Sequence, residues 1–163
     1  IGVIGTKGTI KSMAYEKSIK KIDPSITVLS KPCPLFVPIV EEGLENDEVA
    51  YLMAEKYLQE FRDSGIDVLV MGCTHYPVLE NAIKKVVGKD VKIVHSGRET
   101  AKEVKNILKK KKLLNDLCKG GYEYFVTDAP EMFETIGNRI LNEHISHVKL
   151  VKNRDFRDSL LTS

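Results

Sequence analysis

The stretch IDVLVMGCTHYP, residues 66–77, decides the fold. Its first half is an apolar run without alternation, DVLVMG at residues 67–72, which is typical of a strand buried on both faces of a parallel sheet. Pro77 suits the first turn of a helix, so the strand is followed at once by a helix. The stretch therefore predicts one β-α unit, with Cys73, Thr74 and His75 at the junction.

The segments on either side repeat this alternation of strand and helix. Further strands are predicted at residues 1–5, 26–30 and 91–95. The most regular helix is predicted over residues 46–64, where Val49, Met53, Tyr57 and Phe61 recur every four residues. The predicted fold class is α/β, an open parallel sheet with helices on both faces.

Two helix starts have recognisable capping residues. Asn46 is the predicted cap of the helix over 46–64, and Gly65 lies just beyond its end. Ser96 and Glu99 form a capping-box pattern after the strand at 91–95.

The chain changes in character after about residue 113. Strands are predicted at residues 122–128 and 147–151, with a helix over 130–144 between them. These strands either extend the first sheet or form another, and the tail from residue 152 is expected to fray.

Composition excludes several classes of protein. The chain has 163 residues, 42% hydrophobic and 29% charged, with a net charge of +2, which is too small to indicate a nucleic-acid partner. No run approaches the roughly 18 apolar residues of a membrane span, and the first residues lack the pattern of a signal peptide. Three widely spaced cysteines predict free thiols and a cytoplasmic location. Because residue 1 already lies in a strand pattern, we expect the sequence to be part of a longer protein.

Ligands of open parallel sheets bind at the carboxyl ends of the strands, which here points to three loops. The first is GTKGT, residues 5–9, where Thr6 and Thr9 precede or begin a helix. Such a corner favours a carboxylate or phosphate, although it lacks the P-loop pattern. A tight turn with a capped helix is the alternative interpretation.

The other two loops are KPCPLFVPIVEEG, residues 31–43, and GCTHYP, residues 72–77. A thiolate is the reactive form of cysteine, and a neighbouring imidazolium stabilises it. Cys73 and His75 are two residues apart, so both can face one side of an extended backbone. Glu41 or Glu42 can orient the imidazole, or both can be solvated. Alternatively, Cys73 is a buried structural cysteine and Thr74 a capping residue.

Metal binding is not predicted. Cys33, Cys73, His75 and Cys118 are zinc-ligand types, but no C-x-x-C or H-x-x-x-H pair is present. Cys33 is expected to pack in the interior and Cys118 to have no role. Three further histidines have no visible partner: His95, His144 and His147.

Three segments together resemble a known family: GVIGTKGTI at residues 2–10, CPLFVPIVEEG at 33–43 and GCTHYPVL at 72–79. In order and spacing they are similar to the C-terminal two-thirds of bacterial glutamate racemases, of the aspartate/glutamate racemase family. SGRETAKEV at 96–104 and YFVTDAPEMFETIGNRIL at 124–141 resemble the closing helix, strand and helix of that family.

The resemblance implies an isomerase that interconverts L-glutamate and D-glutamate for peptidoglycan without cofactor or metal. Two cysteines on opposite faces of the α-carbon transfer the proton. By resemblance Cys73 is the second of them, His75 assists its thiol and Glu41 supports the imidazole. Thr74 would bind polar groups of the substrate, and Thr6 and Thr9 its side-chain carboxylate or the pocket wall.

The opening half of the family, with its first catalytic cysteine, has no match in this sequence. The resemblance therefore implies a complete domain at residues 1–97, the returning part of an incomplete one at 98–151 and a tail at 152–163. The 163 residues alone are expected to be inactive. His95 stands where the family would have an acidic or small polar residue.

The segment 98–151 is expected to lack its normal cover. Four of its apolar residues carry this expectation: Phe125, Phe133, Ile136 and Ile140. Exposed apolar patches tend to find partners, so we expect a homo-oligomer through this segment, or folding of the segment against the intact domain.

Other functions stay open at this point. The chain can be half of an aspartate or other amino-acid racemase. It can also be a small-ligand-binding module without chemistry, in which Cys73 is structural, or a zinc protein.

Overall fold

The computed structural model describes residues 1–115, 120–141 and 144–152. Cys118 and residues 153–163, for which predictions were made above, lie outside the described residues. The chain divides into two compact units, Ile1–Leu114 and Asn115–Ser163, and each is described by itself.

The first unit alternates four strands with helices. In chain order its elements are β1 (Gly2–Gly5), α1 (Lys7–Ser12), α2 (Ala14–Ile22), β2 (Leu29–Pro32), α3 (Phe36–Glu41), α4 (Glu48–Arg62), β3 (Val68–Met71), a 3₁₀ helix (Tyr76–Leu79), α5 (Glu80–Val87), β4 (Lys92–His95) and α6 (Ser96–Lys110).

All four strands are parallel, in the order β2-β1-β3-β4. The predicted α/β fold with an open parallel sheet is therefore confirmed. From β1 the chain proceeds to β2 on one side, whereas β3 and β4 lie on the other, so the strand order reverses between β1 and β3. In open α/β sheets, ligands bind in the crevice at such a reversal, outside the carboxyl ends of the strands.

The core lies between the sheet and the helices α3, α4 and α5, whereas α1, α2 and α6 contain no fully buried residue. The central strands contribute Val3, Ile4, Leu69 and Met71, and the helices contribute Phe36, Ile39, Val40, Leu58, Phe61, Ile83 and Val86. Along α4 the buried residues are Ala50, Ala54, Leu58 and Phe61, so the buried face is centred on them rather than on the predicted stripe. Val49, Met53 and Tyr57 are only partly buried.

The start of β2 differs from the prediction because pairing with β1 decides it. β2 begins at Leu29 rather than residue 26, since it pairs with the four-residue β1 and Gly2 is matched to Leu29. Asp23 accepts hydrogen bonds from the Ser25 backbone and hydroxyl, which holds the preceding segment in a turn. Two helices, α1 and α2, follow β1 and meet at Met13, which has the left-handed φ of 55°.

Both predicted caps are wrong. Asp47, not Asn46, caps α4: its Oδ1 accepts a hydrogen bond from the backbone N–H of Val49 at 2.9 Å. Ser96 is already the first residue of α6, so it does not act as a cap, and Glu99 pairs with Lys102 at 2.7 Å instead.

The second unit contains β5 (Phe125–Val126), α7 (Pro130–Leu141) and β6 (Lys149–Leu150). β5 and β6 form a separate two-stranded parallel sheet, which decides between the two arrangements left open by the sequence. Phe125, Phe133 and Ile140 are exposed, between 39% and 52%. The assignment of residues 98–151 to a second, incomplete domain stays a prediction.

Across the described residues, no helix has both the length and the apolar character needed to cross a membrane.

Candidate functional site

The candidate site lies at the carboxyl edge of the first sheet, where the strand order reverses. The loop after β1 carries Thr6 and the loop after β3 carries Cys73, Thr74 and His75. β1 and β3 are paired neighbours, and the N–H of Gly72 continues their ladder by donating to the Ile4 carbonyl at 2.8 Å. The two loops predicted to hold ligand-binding and reactive residues are thus adjacent in the fold.

Cys73 and His75 lie together, as predicted, although the backbone at residues 73–75 is bent rather than extended. The Cys73 Sγ lies 3.9 Å from His75 Nδ1, within the range of a long hydrogen bond to sulfur. Cys73 is half-buried, and one side of it packs against the core. Its thiol is therefore neither fully enclosed nor isolated from a proton acceptor.

Glu41 completes a chain of three side chains. Its Oε1 lies 3.5 Å from His75 Nε2, so the carboxylate and the sulfur are on opposite sides of the same imidazole ring. The side chains of His75 and Glu41 are 28% and 39% exposed, so solvent screens this contact. Glu41 is the last residue of α3, so the position of that helix determines the contact.

Thr6 and Thr9 form the first turn of α1. The Thr6 hydroxyl caps the helix by accepting from the Thr9 backbone N–H at 3.2 Å, and the two hydroxyl oxygens lie 3.0 Å apart. The predicted capped turn is therefore present. Both threonines are partly buried, and Thr74 is exposed at the neighbouring loop. Their predicted contacts with a substrate stay predictions.

Gly72 brings the two loops into close contact. A Cβ atom at this position would lie 2.9 Å from Cε2 of Tyr15, 3.1 Å from the Ile4 carbonyl oxygen and 3.3 Å from Cγ2 of Thr9. Only a residue without a side chain fits, because the Ile4 backbone cannot move without disturbing β1. Thr9 and Tyr15 thus lie beside the residue that precedes Cys73, and sequence analysis missed Tyr15 because nothing in its spacing indicates this contact.

Cys33 is a structural residue, as predicted. It is 0% exposed, and burial raises the pKa of its thiol to about 12, so at neutral pH it stays protonated. Its carbonyl accepts a hydrogen bond of 2.8 Å from the hydroxyl of Tyr76, which is also fully buried. Burial is the main reason why the pKa of Tyr76 is raised far above its ordinary value, so this hydroxyl keeps its proton and acts as the donor.

His95 has a partner that the sequence did not reveal. Its imidazole is largely buried at the end of β4, and Nε2 lies 2.9 Å from Oε2 of Glu80 at the start of α5. Glu80 also pairs with Lys84 through Oε1. The hydrogen bond from Lys84, helped by His95, holds the pKa of Glu80 below its ordinary value against the effect of partial burial. This pair joins the start of α5 to the edge strand.

Within the described ranges, no group of three or more histidine, cysteine, aspartate or glutamate side chains is arranged to hold a metal ion. In the Cys73–His75–Glu41 chain, the Cys73 sulfur faces one nitrogen of the imidazole ring and the Glu41 carboxylate faces the other. A thiol beside an imidazole is an arrangement that can carry out acid–base and thiol chemistry.

Comparison with known proteins gives a consistent result. The profile of the family described as Asp/Glu/Hydantoin racemase matches residues 1–104. A protein named glutamate racemase from Geobacter metallireducens is 48% identical over 149 residues, which cover 91% of this chain and 55% of that protein. The glutamate racemase of Thermoanaerobacter sp. strain X514 is 45% identical over 148 residues, covering 91% of this chain and 56% of its own.

Two crystal structures are similar over nearly the same extent. Glutamate racemase isoform RacE1 from Bacillus anthracis superposes with a TM-score of 0.87 and 40% identity, over 93% of this chain and 57% of that one. Glutamate racemase from Francisella tularensis, solved in complex with D-glutamate, gives a TM-score of 0.85 and 38% identity, again over 93% and 57%. The chain thus spans little more than half the length of the proteins it matches.

Proposed function

Because the chain belongs to the Asp/Glu/hydantoin racemase family, we propose that it carries one of the two thiol sites of a cofactor-independent glutamate racemase. The observation that carries this proposal is the position of Cys73. Its half-buried thiol lies 3.9 Å from an imidazole at the reversal point of a parallel sheet. The chain is 48% and 45% identical to two proteins named glutamate racemase, and this similarity supports glutamate, rather than another substrate of the family, in the proposal.

In the proposed reaction, His75 Nδ1 takes the proton of the Cys73 thiol and leaves a thiolate. The thiolate sulfur then forms a bond to the α-hydrogen of glutamate, and the electrons of the carbon–hydrogen bond stay on the α-carbon and its carboxylate. A second thiol on the opposite face returns a proton to that carbon, which inverts its configuration. In the other direction Cys73 is the acid.

The remaining side chains have supporting roles in this proposal. Glu41 lies on the far side of the imidazole from the sulfur, where its negative charge stabilises the ring after it gains a proton. Thr6, Thr9 and Thr74 offer hydroxyl groups, and the Thr74 backbone an N–H, to the carboxylates of glutamate. The D-glutamate in the Francisella tularensis structure is consistent with this assignment of substrate.

We further propose that the 163 residues do not racemise glutamate by themselves. The reaction needs two thiols on opposite faces of one carbon, and Cys33 cannot be the second, because it is buried and its pKa is raised to about 12. In the complete enzyme the product would supply D-glutamate for peptidoglycan. We also propose a cytoplasmic location, because free thiols persist in a reducing compartment.

A hybrid enzyme tests the proposed function. The matching 149 residues of the Geobacter metallireducens relative are replaced by those of this chain, and the formation of D-glutamate from L-glutamate is followed by chiral chromatography. We expect the hybrid to racemise glutamate, the same hybrid with Cys73→Ser to be inactive, and the 163-residue chain alone to form no D-glutamate. A folded hybrid without activity would refute the assignment, and turnover by the chain alone would refute the single-thiol proposal. Aspartate as the preferred substrate would favour the alternative racemase.

Glu41→Gln is expected to slow the modification of Cys73 by iodoacetamide at neutral pH by about two- to fivefold. The change removes the negative charge beside His75 while keeping the size of the side chain, and exposed charge pairs are worth at most about 1 kcal/mol. Modification of the Cys73 peptide is followed by mass spectrometry.

Glu42→Gln is the matched control for this measurement. Glu42 is the next residue, is also exposed, and is the C-terminal cap of the same helix. We expect its rate to equal that of the parent chain. Equal slowing by both substitutions would show that general charge, rather than the Glu41–His75 contact, controls the thiol.

A further inference from the structure

Tyr76 connects two loops of the site through its hydroxyl group. The residue is 0% exposed, and its hydroxyl donates a 2.8 Å hydrogen bond to the carbonyl of Cys33, 43 positions earlier in the chain. Tyr76 follows His75 directly, whereas Cys33 lies in the loop between β2 and α3. The bond therefore joins the loop of the reactive thiol to the loop that leads to Glu41.

Backbone hydrogen bonds extend this connection to the third loop. The N–H of Cys33 donates to the carbonyl of Gly5, at 2.9 Å, and Gly5 immediately precedes Thr6. The N–H of Tyr76 donates to the carbonyl of Cys73, at 3.3 Å. Cys33 and Tyr76 thus link all three loops at the carboxyl edge of the sheet.

The position of Glu41 depends on this connection. Helix α3 begins at Phe36, three residues after Cys33, and the Phe36 ring packs edge-on against the Tyr76 ring with centroids 5.1 Å apart. Glu41 ends the same helix and faces His75 across 3.5 Å. The side chains of Glu41 and His75 are both partly exposed, so the contact between them is weak. The distance between them must therefore be set by the backbone placement of α3 against the 3₁₀ helix.

We propose that the Tyr76 hydroxyl is a positioning group for the thiol site, holding α3 so that Glu41 faces His75. The inference rests on the proposed function, since it assigns a role within the same site. The aromatic ring of Tyr76 fills the core, whereas the hydroxyl determines the register between the two loops. If instead the hydroxyl served only as a second partner of the Cys33 carbonyl, which also accepts from the Phe36 N–H at 3.2 Å, its loss would lower stability without acting through Glu41.

The test combines Tyr76→Phe with Glu41→Gln in the full chain. Tyr76→Phe removes only the hydroxyl and keeps the ring. The rate of Cys73 modification by iodoacetamide is measured for the parent, both single variants and the double variant, with the melting temperature of each. Tyr57→Phe is the matched control, because the Tyr57 ring also packs edge-on against Phe36, at 5.4 Å, but belongs to α4.

Each single variant is expected to slow the modification by about threefold, and the double variant by about the same threefold rather than ninefold, because both changes remove one interaction. Tyr57→Phe should react at the parental rate. A parental rate for Tyr76→Phe, or a multiplicative double variant, would overturn the positioning role whatever the melting temperatures are.

Failure of the proposed function gives a different result. In that case Cys73 of the parent chain reacts no faster than cysteine in an unstructured peptide and Glu41→Gln has no effect, so the positioning role fails with it. If the parent thiol is fast and Glu41→Gln slows it while Tyr76→Phe does not, the proposed function stands and only the role of Tyr76 is overturned.

Discussion

Replacing Cys73 by serine is expected to lower the rate of thiol modification of the chain at pH 7 by at least about 1,000-fold. The comparison is made in a Cys118→Ser chain, so that Cys33 is the only thiol left. Cys33 is 0% exposed and its pKa is raised to about 12, so only about 10⁻⁵ of it is thiolate at neutral pH. An ordinary free thiol, with a pKa of about 8.5, is about 3% thiolate at that pH. The measurement is the rate of iodoacetamide incorporation by intact-protein mass spectrometry.

Cys33→Ala in the same Cys118→Ser chain is the control. It removes the buried thiol and leaves Cys73 beside His75, so the fast reaction should persist. The serine substitution changes a single atom of a half-buried side chain, and unfolding is therefore not expected to explain a loss of reactivity. A Cys73→Ser chain that still reacts rapidly would show that the accessible thiol lies elsewhere, and the acid–base role of Cys73 would be untenable.

The parts of the fold that sequence predicted are those that depend on local pattern. β3 and β4 lie within the predicted runs at residues 67–72 and 91–95, because each run is apolar and bounded by breaks in periodicity. The sequence also predicted that Cys73 and His75 lie together, but it assumed an extended backbone, whereas residues 73–75 form a bend in which His75 is helical and the Tyr76 N–H donates to the Cys73 carbonyl. The sequence therefore predicted which candidate site residues each loop carries, but not how the loops contact one another.

Relations between loops could not be read from local pattern. Local pattern left Glu41 and Glu42 equivalent, since both are charged residues at a helix end, and only the family resemblance singled out Glu41. Glu41 lies 3.5 Å from His75 because of the orientation in which α3 packs in the fold. The hydrogen bond from Tyr76 to the Cys33 carbonyl joins residues 43 positions apart, and no sequence pattern in either segment predicts it.

The same reason explains the errors in boundaries. The segment at residues 26–28 is as apolar as a strand, but the strand register begins with Gly2 matched to Leu29, and before it Ile1 bonds to the carbonyl of Thr27 and the N–H of Leu29. The His95–Glu80 pair likewise joins β4 to α5 across 15 positions, and it accounts for the burial of a histidine that appeared to have no partner. Non-local pairing overrides local propensity at each of these places.

Phe36 is the packing residue on which the geometry of Glu41 depends most directly. It is 0% exposed at the start of α3, and its ring makes edge-on contacts with Tyr57 at 5.4 Å and with Tyr76 at 5.1 Å. The two tyrosines belong to α4 and to the 3₁₀ helix after Cys73. Phe36 thus packs α3 against the elements on both of its sides.

Phe36→Ala is expected to lower the free energy of unfolding by about 3–5 kcal/mol, because the change leaves a cavity between rings that surround it on two sides. Such a loss is a large part of the roughly 5–15 kcal/mol that stabilises an ordinary domain. Because α3 would no longer be held in place, the rate of Cys73 modification should also stop depending on Glu41. Urea denaturation followed by circular dichroism measures the first effect. Leu35→Ala is the control, since Leu35 is the preceding residue and is 47% exposed, and it should change stability by less than about 0.5 kcal/mol. Equal effects of the two substitutions would show that α3 is not held in place by the Phe36 ring.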